Sequence, residues 1–186
     1  MNHLEIEYKT LLDKEEYQSL LPLFADTELV VQTNHYIDTP TSSSVTEKMA
    51  LRDTYFAQIQ AELTLKVPEA VGHFEYNQNL SPEETDAILQ HQQFPDGEIK
   101  NLLISKEIPV EQLAVWGSLT TERFEKETAA GLVALDHSLY LDTEDYELEI
   151  EVETAEQEEN FHQFIKEHGI VYKAAKNKIA RLAERL

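Results

Sequence analysis

The chain has 186 residues, 36 acidic and 15 basic, for a formal net charge of −21. That length predicts a single domain over 1–186 with one sizeable core. So negative a surface repels phosphodiester backbones and anionic lipid headgroups, which excludes nucleic acid and membrane as expected main partners. The sequence contains no cysteine, removing disulfides, thiolate zinc sites and cysteine nucleophiles together. It shows no signal-peptide pattern and no apolar run near the ~18 residues of a membrane span, so the expected location is the cytoplasm.

The first element is "LEIEYK" (residues 4–9), whose period-two alternation predicts a strand with Glu5, Glu7 and Lys9 on one face. "DKEEYQSLLPLF" follows as a helix, with Asp13 and Glu16 at capping-box spacing and Pro22 limiting its length. "VVQTNHYIDTP" alternates again and leads into a turn at "TPTSSS". Strands are expected around "MALRDTYF", "AELTLKV" and "GHFEYNQNL", and then a helix from Ser81, Pro82 and Glu84. Residues 97–116 read as helical and connecting, with "PVEQLAVW" as one short helix. "GSLTTERFEKET", "GLVALDHSLY" and "YELEIEVE" are three consecutive strand patterns. "EQEENFHQFIKEHG" is a helix closed by Gly169, and the tail "YKAAKNKIARLAERL" is mostly helix formers. The sum is an α+β domain with about eight strands, mostly antiparallel.

The charge pattern carries the functional argument. "YELEIEVE" sets Glu147, Glu149, Glu151 and Glu153 on one strand face, with neighbours roughly 6.7 Å apart. An antiparallel sheet with one wet face accounts for any single such strand. It accounts less well for the basic residues, several of which fall on polar strand faces: Lys9, Arg52, Lys66 and Arg123. Five of the fifteen, Lys173, Lys176, Lys178, Arg181 and Arg185, crowd the last fourteen positions, where Glu184 is the only acid. If the sheet curls with its charged faces inward, carboxylates for Mg²⁺ or Mn²⁺ meet Lys and Arg for phosphate oxygens. Such a lumen suits a metal–polyphosphate complex.

In order along the chain, "EIEYK", "QTNHYIDT", "ALR", "LTLK", "TER", "VALDHSLY", "DYELEIEV" and "KNKIAR" resemble the motifs of the CYTH superfamily of triphosphate tunnel metalloenzymes, in particular its small bacterial members. The resemblance runs from about residue 4 to 181. It implies an eight-stranded antiparallel β-barrel with a polar, charged interior and flanking helices. It also implies a metal-dependent hydrolase acting on inorganic tripolyphosphate or a small organic triphosphate. Carried over by position, Glu5, Glu7, Glu147, Glu149 and Glu151 are the implied metal ligands. Lys9, Arg52, Lys66, Arg123, Lys176, Lys178 and Arg181 are the implied phosphate contacts. Lys9, Lys176 and Lys178 are placed nearest the leaving group or water. Asp136 and Glu75 match polar positions of the family. The sequence departs from the family's Ala-Leu-Arg-x-Arg at Thr54, and its Lys-Ser-Lys is "KNK" here. The departure at Thr54 motivates an alternative reading as a non-catalytic triphosphate-binding protein. A class IV-type adenylyl cyclase ranks lower, because no nucleobase-reading motif is present. The seven histidines lack metal spacing, and Trp116 is expected in packing.

Overall fold

A computed structural model describes residues 2–39, 48–56 and 58–186, with side chains left undescribed in the 48–59 stretch. Residues 40–44 of the expected "TPTSSS" turn therefore lie outside the described residues. The described strands are β1 (His3–Leu12), β2 (Val30–Asp38), β3 (Lys48–Phe56), β4 (Gln58–Pro68), β5 (His73–Leu80), β6 (Ala114–Thr128), β7 (Gly131–Tyr140) and β8 (Thr143–Val152). The helices are α1 (Lys14–Leu20), α2 (Pro82–His91), α3 (Glu98–Ser105), α4 (Glu158–Glu167) and α5 (Lys178–Ala183). The strands pair in antiparallel ladders, β3-β4-β5 and β1-β8-β7-β6, and with the flanking helices they make up the expected α+β class. None of the described helices is long and apolar enough to cross a membrane.

The chain divides into two compact units, one of residues 1–4 and 33–118, the other of residues 5–32 and 119–186. In the first, β4 pairs antiparallel with β3 and β5. Its alternation buries Leu63 and Leu65 with Ile88 of α2 and Ile99 and Leu103 of α3, while Thr64 and Lys66 take the opposite face. Helix α2 starts as expected: the Ser81 hydroxyl accepts from the Glu84 amide at 3.2 Å and the Glu84 carboxylate accepts from the Ser81 amide at 2.8 Å.

One expectation in this unit fails. "PVEQLAVW" is a single 3-10 turn at Val110–Gln112, and Ala114 already opens the 15-residue strand β6. Val115 and Trp116 favour a strand once partners exist, and Trp116 stacks on Tyr36 with ring centroids 5.9 Å apart.

In the second unit β1, β8, β7 and β6 form a continuous antiparallel sheet. One face carries Ile6, Leu148, Ile150, Val133 and Leu135, packed with Tyr17 and Leu20 of α1 and Phe161 and Ile165 of α4. The end of α4 directs the tail. Gly169 takes φ 68°, its amide bonds the Lys166 carbonyl at 3.1 Å, and the Ile170 amide bonds the Ile165 carbonyl at 2.8 Å. These two bonds make a Schellman turn, with Ile170 and Ile165 as its apolar pair. The tail then runs without regular structure to a helix of only 6 residues, α5, shorter than its helix-forming composition suggests. A segment so short cannot hold itself helical and depends on what it touches.

Candidate metal and phosphate site

Register determines which charges meet on the second sheet face of this unit. Lys9 of β1 lies opposite Glu149 of β8, Glu147 of β8 opposite Asp136 of β7, and Asp136 opposite Arg123 of β6. Directly opposite residues share a face, so alternation on four strands collects these side chains on one patch. The acids of the patch are shielded from solvent, Asp136 and Glu147 at 0% exposure and Glu149 at 7%, while Lys9 and Arg123 keep part of their side chains exposed.

Helix α5 completes it. Thr10 and the Leu11 amide hold the tail: Thr10 Oγ1 accepts from the Lys173 amide at 2.8 Å and the Leu11 amide donates to the Lys173 carbonyl at 3.1 Å. The Lys173 ammonium pairs with Glu16, the residue that also completes the α1 capping box with Asp13. Asn177 then caps α5, its side chain accepting from the Ala180 amide at 2.9 Å. Lys178 follows at the first helical position. Its Nζ lies 2.8 Å from Asp136 Oδ2, 2.6 Å from Glu147 Oε1 and 2.7 Å from Glu149 Oε1.

Arg123 grips Asp136 with both arms, Nε to Oδ1 at 2.7 Å and Nη2 to Oδ2 at 2.6 Å, and Nη2 also reaches Glu149. Lys9 pairs with Glu7 and lies 3.5 Å from Glu149 Oε1. Three buried acids thus share Lys9, Arg123, Lys178 and Arg181.

The electrostatics follow from that sharing. Burial works to raise the Glu149 and Asp136 carboxyls. It is outweighed by Lys178, Arg123 and Lys9 around Glu149, and by Arg123 and Lys178 around Asp136, so both lie below the ordinary range. Glu147 goes the other way: burial, with the neighbouring Glu149 charge, raises it to about 7 against the pull of Lys178. Burial lowers the Lys9, Arg123 and Lys178 pKa values, and the adjoining carboxylates more than reverse this, leaving all three raised.

Asp136, Glu147 and Glu149 each offer an oxygen, all within 4.8 Å of one another. Hard oxygen donors at this spacing suit a divalent cation such as Mg²⁺ or Mn²⁺, and in this structure the Lys178 ammonium lies among them. The group unites two of the five expected ligands, Glu147 and Glu149, with Asp136, which is not among the ligands that the family resemblance implies. Its signal was a lone acid in the apolar strand "VALDHSLY", a costly burial unless cations meet it. Glu7 and Glu151 face each other farther along the same two strands, and Glu5 continues that face of β1.

The expected phosphate contacts separate into three groups. Lys9, Arg123, Lys178 and Arg181 are in the cluster. Lys176 is not; its ammonium pairs with Glu184 on an exposed surface. Arg52 and Lys66 belong to the other unit, where Lys66 pairs with buried Glu75 at 2.5 Å. Arg52 and Thr54 fall where side chains lie outside the described residues.

The CYTH domain family model matches residues 3–183. The Bacillus subtilis protein YjbK, named as a candidate triphosphatase, is 38% identical over 184 residues, 97% of this chain and 95% of its own. A solved structure from Bacillus halodurans, described as a candidate adenylate cyclase, matches with a TM-score of 0.88 at 34% identity over 97% of both chains. A Hippeastrum protein, described as a candidate adenylyl cyclase with dominant triphosphatase activity, shares the fold at a TM-score of 0.83 and 21% identity, over 98% of this chain and 96% of its own. The chain belongs to the CYTH domain family.

Proposed function

We propose that this chain is a metal-dependent triphosphatase that hydrolyses inorganic tripolyphosphate or a small organic triphosphate. The observation that carries the reading is the meeting, on one buried sheet face, of three carboxylates with oxygens inside 4.8 Å and the cations Lys9, Arg123 and Lys178. The name of its Bacillus subtilis relative points the same way.

Asp136, Glu147 and Glu149 would hold Mg²⁺ or Mn²⁺, with Glu5, Glu7 and Glu151 as further carboxylates of that face. A bound divalent ion supplies polarisation of phosphoryl oxygens and a water of lowered pKa. Lys9, Arg123 and Lys178 bind and orient the phosphate oxygens. With raised pKa values they stay cationic at neutral pH, so their part is stabilisation of charge on the transferring group, not proton abstraction. Burial of the three carboxylates strengthens the interactions they make.

The test is metal-dependent phosphate release from tripolyphosphate, thiamine triphosphate and ATP. Release from at least one is expected. Saturable binding of all three without release would leave a binding protein, and cyclic AMP with pyrophosphate from ATP would make it a cyclase.

A further inference from the structure

We propose that Arg181 is a positioning residue that locks α5 onto β8 and so delivers Lys178 to the carboxylates, and that it does not bind phosphate. The kinetic part of this inference rests on the triphosphatase reading above.

Arg181 is 9% exposed, and both of its terminal nitrogens donate within the chain. Nη1 donates to Glu147 Oε2 and to the Lys176 carbonyl. Nη2 donates to Asp145 Oδ1 at 3.3 Å, while Nε lies 3.1 Å from Asp145 Oδ2. That same Asp145 oxygen accepts from the Tyr140 hydroxyl at 2.6 Å. A phosphate oxygen reaching this guanidinium would have to displace a carboxylate already oriented by a second donor.

The helix geometry explains why the lock matters. Lys178 and Arg181 are three residues apart and share one face of α5. Together they hold both oxygens of Glu147, Lys178 at Oε1 and Arg181 at Oε2. Asp145, Glu147 and Glu149 alternate along β8, and the cations divide between them: Arg181 takes Asp145 and half of Glu147, Lys178 the other half and Glu149. Because α5 is a helix of 6 residues, its place depends on this grip, on Asn177 and on Leu182, which is 0% exposed. Asp145 and Tyr140 act through Arg181, and Arg181 through Lys178.

The experiment compares Arg181→Met, Arg181→Lys, Asp145→Asn and Tyr140→Phe in the full chain, with tripolyphosphate and Mn²⁺. A positioning role predicts that Arg181→Met and Asp145→Asn lower kcat by about tenfold or more with KM within about twofold, and that Arg181→Lys recovers part of the loss. Tyr140→Phe should follow in the same direction by a few-fold. A tenfold rise in KM for Arg181→Met, with Asp145→Asn at wild-type values, would make Arg181 a direct phosphate contact and overturn the proposal. Hydrogen exchange of the α5 amides in the ligand-free chain gives a readout without turnover. Exchange about tenfold faster in Asp145→Asn and Arg181→Met is expected, and unchanged protection in both would also overturn it. Absence of turnover in the wild type would defeat the proposed function alone, because the exchange comparison decides the lock by itself. Should Arg181→Met not fold, Asp145→Asn and Tyr140→Phe carry both measurements.

Discussion

Strands β4–β5 and strands β7–β8 are built from the same alternation yet treat charge in opposite ways. In the first pair, register sets Lys66 opposite Glu75 and Thr64 opposite Asn77. The ion pair forms at 2.5 Å and the hydroxyl–amide bond at 2.8 Å, so polar groups on these two strands meet complementary partners across the ladder. In the second pair, register sets Asp136 opposite Glu147, two acids at one rung, with Glu149 two residues along. Nothing on those two strands neutralises them; the cations arrive from β1, β6 and α5. A face that needs outside cations to be stable is also one whose cations and carboxylates can be redistributed when a metal and a polyanion bind. A self-matched pair has less to offer.

The largest effect should come from breaking the needy face at its centre. Glu149→Gln leaves Lys9, Arg123 and Lys178 short of an acceptor in a buried setting and should cost about 3–5 kcal/mol in urea unfolding. Glu75→Gln, which removes one acceptor from Lys66, should cost about 1.5–3 kcal/mol. Equal losses would erase the distinction between the two strand pairs.

Next in size is the contrast between two lysines in phosphate release. Lys178→Met should lower kcat/KM by about a hundredfold, as expected for a preorganised charge at the reacting group. Lys66→Met, implied as a phosphate contact by family position, should lower it by about tenfold. A reversed order would move the chemical centre away from β7–β8.

The pH dependence of the metal-free chain sharpens the comparison further. Glu149 and Asp136 lie below their ordinary values of 4.5 and 3.8. Their stabilisation is present above those values and is lost as pH falls through the depressed ones. Glu147, raised from 4.5 to about 7, has the opposite sign: folding favours its protonated form, so its contribution is full below 4.5 and lost as pH rises through about 7. Between about pH 4.5 and 7 the unfolding free energy of the wild type in urea should therefore fall, with a slope no steeper than about 1.4 kcal/mol per pH unit. Glu147→Gln should flatten that slope. A wild-type curve already flat in this window would contradict the assignment to Glu147.

The smallest effects are at the two helix caps, one in each unit. Ser81→Ala should cost about 1 kcal/mol. Asp13→Ala should cost slightly more, because the Glu16 carboxylate that completes its box also holds Lys173 and so steadies the tail that leads to Lys178. Thermal unfolding of the two variants measures the difference.

Much of this site is legible along the chain, since a strand's period of two sorts Glu5, Glu7 and Lys9, or Glu147, Glu149 and Glu151, onto one face without knowledge of neighbours. The two capping boxes are equally local, and both form. Asp136 is less legible, because its importance comes from lying opposite Glu147, a property of register. Lys176 and Lys178 look equivalent in "KNK", but Asn177 caps a helix between them. Lys178 is turned to the acids and Lys176 to Glu184. The same cap explains why Asn serves where the family pattern has Ser, since both side chains accept from the first turn of a helix. Trp116 was legible as packing but not as strand, because its partner Tyr36 lies 80 positions earlier.

By itself the sequence determined the antiparallel α+β class, the faces of the charged strands and the helix starts, all of which depend on spacings of a few residues. Tertiary structure alone decided that Asp136 joins Glu147 and Glu149, that Lys178 and not Lys176 meets them, and that Arg181 is spent on Asp145 and Glu147. Those outcomes depend on strand register and on where a six-residue helix docks, and both are settled by burial of apolar faces and by the requirement that buried charges find partners.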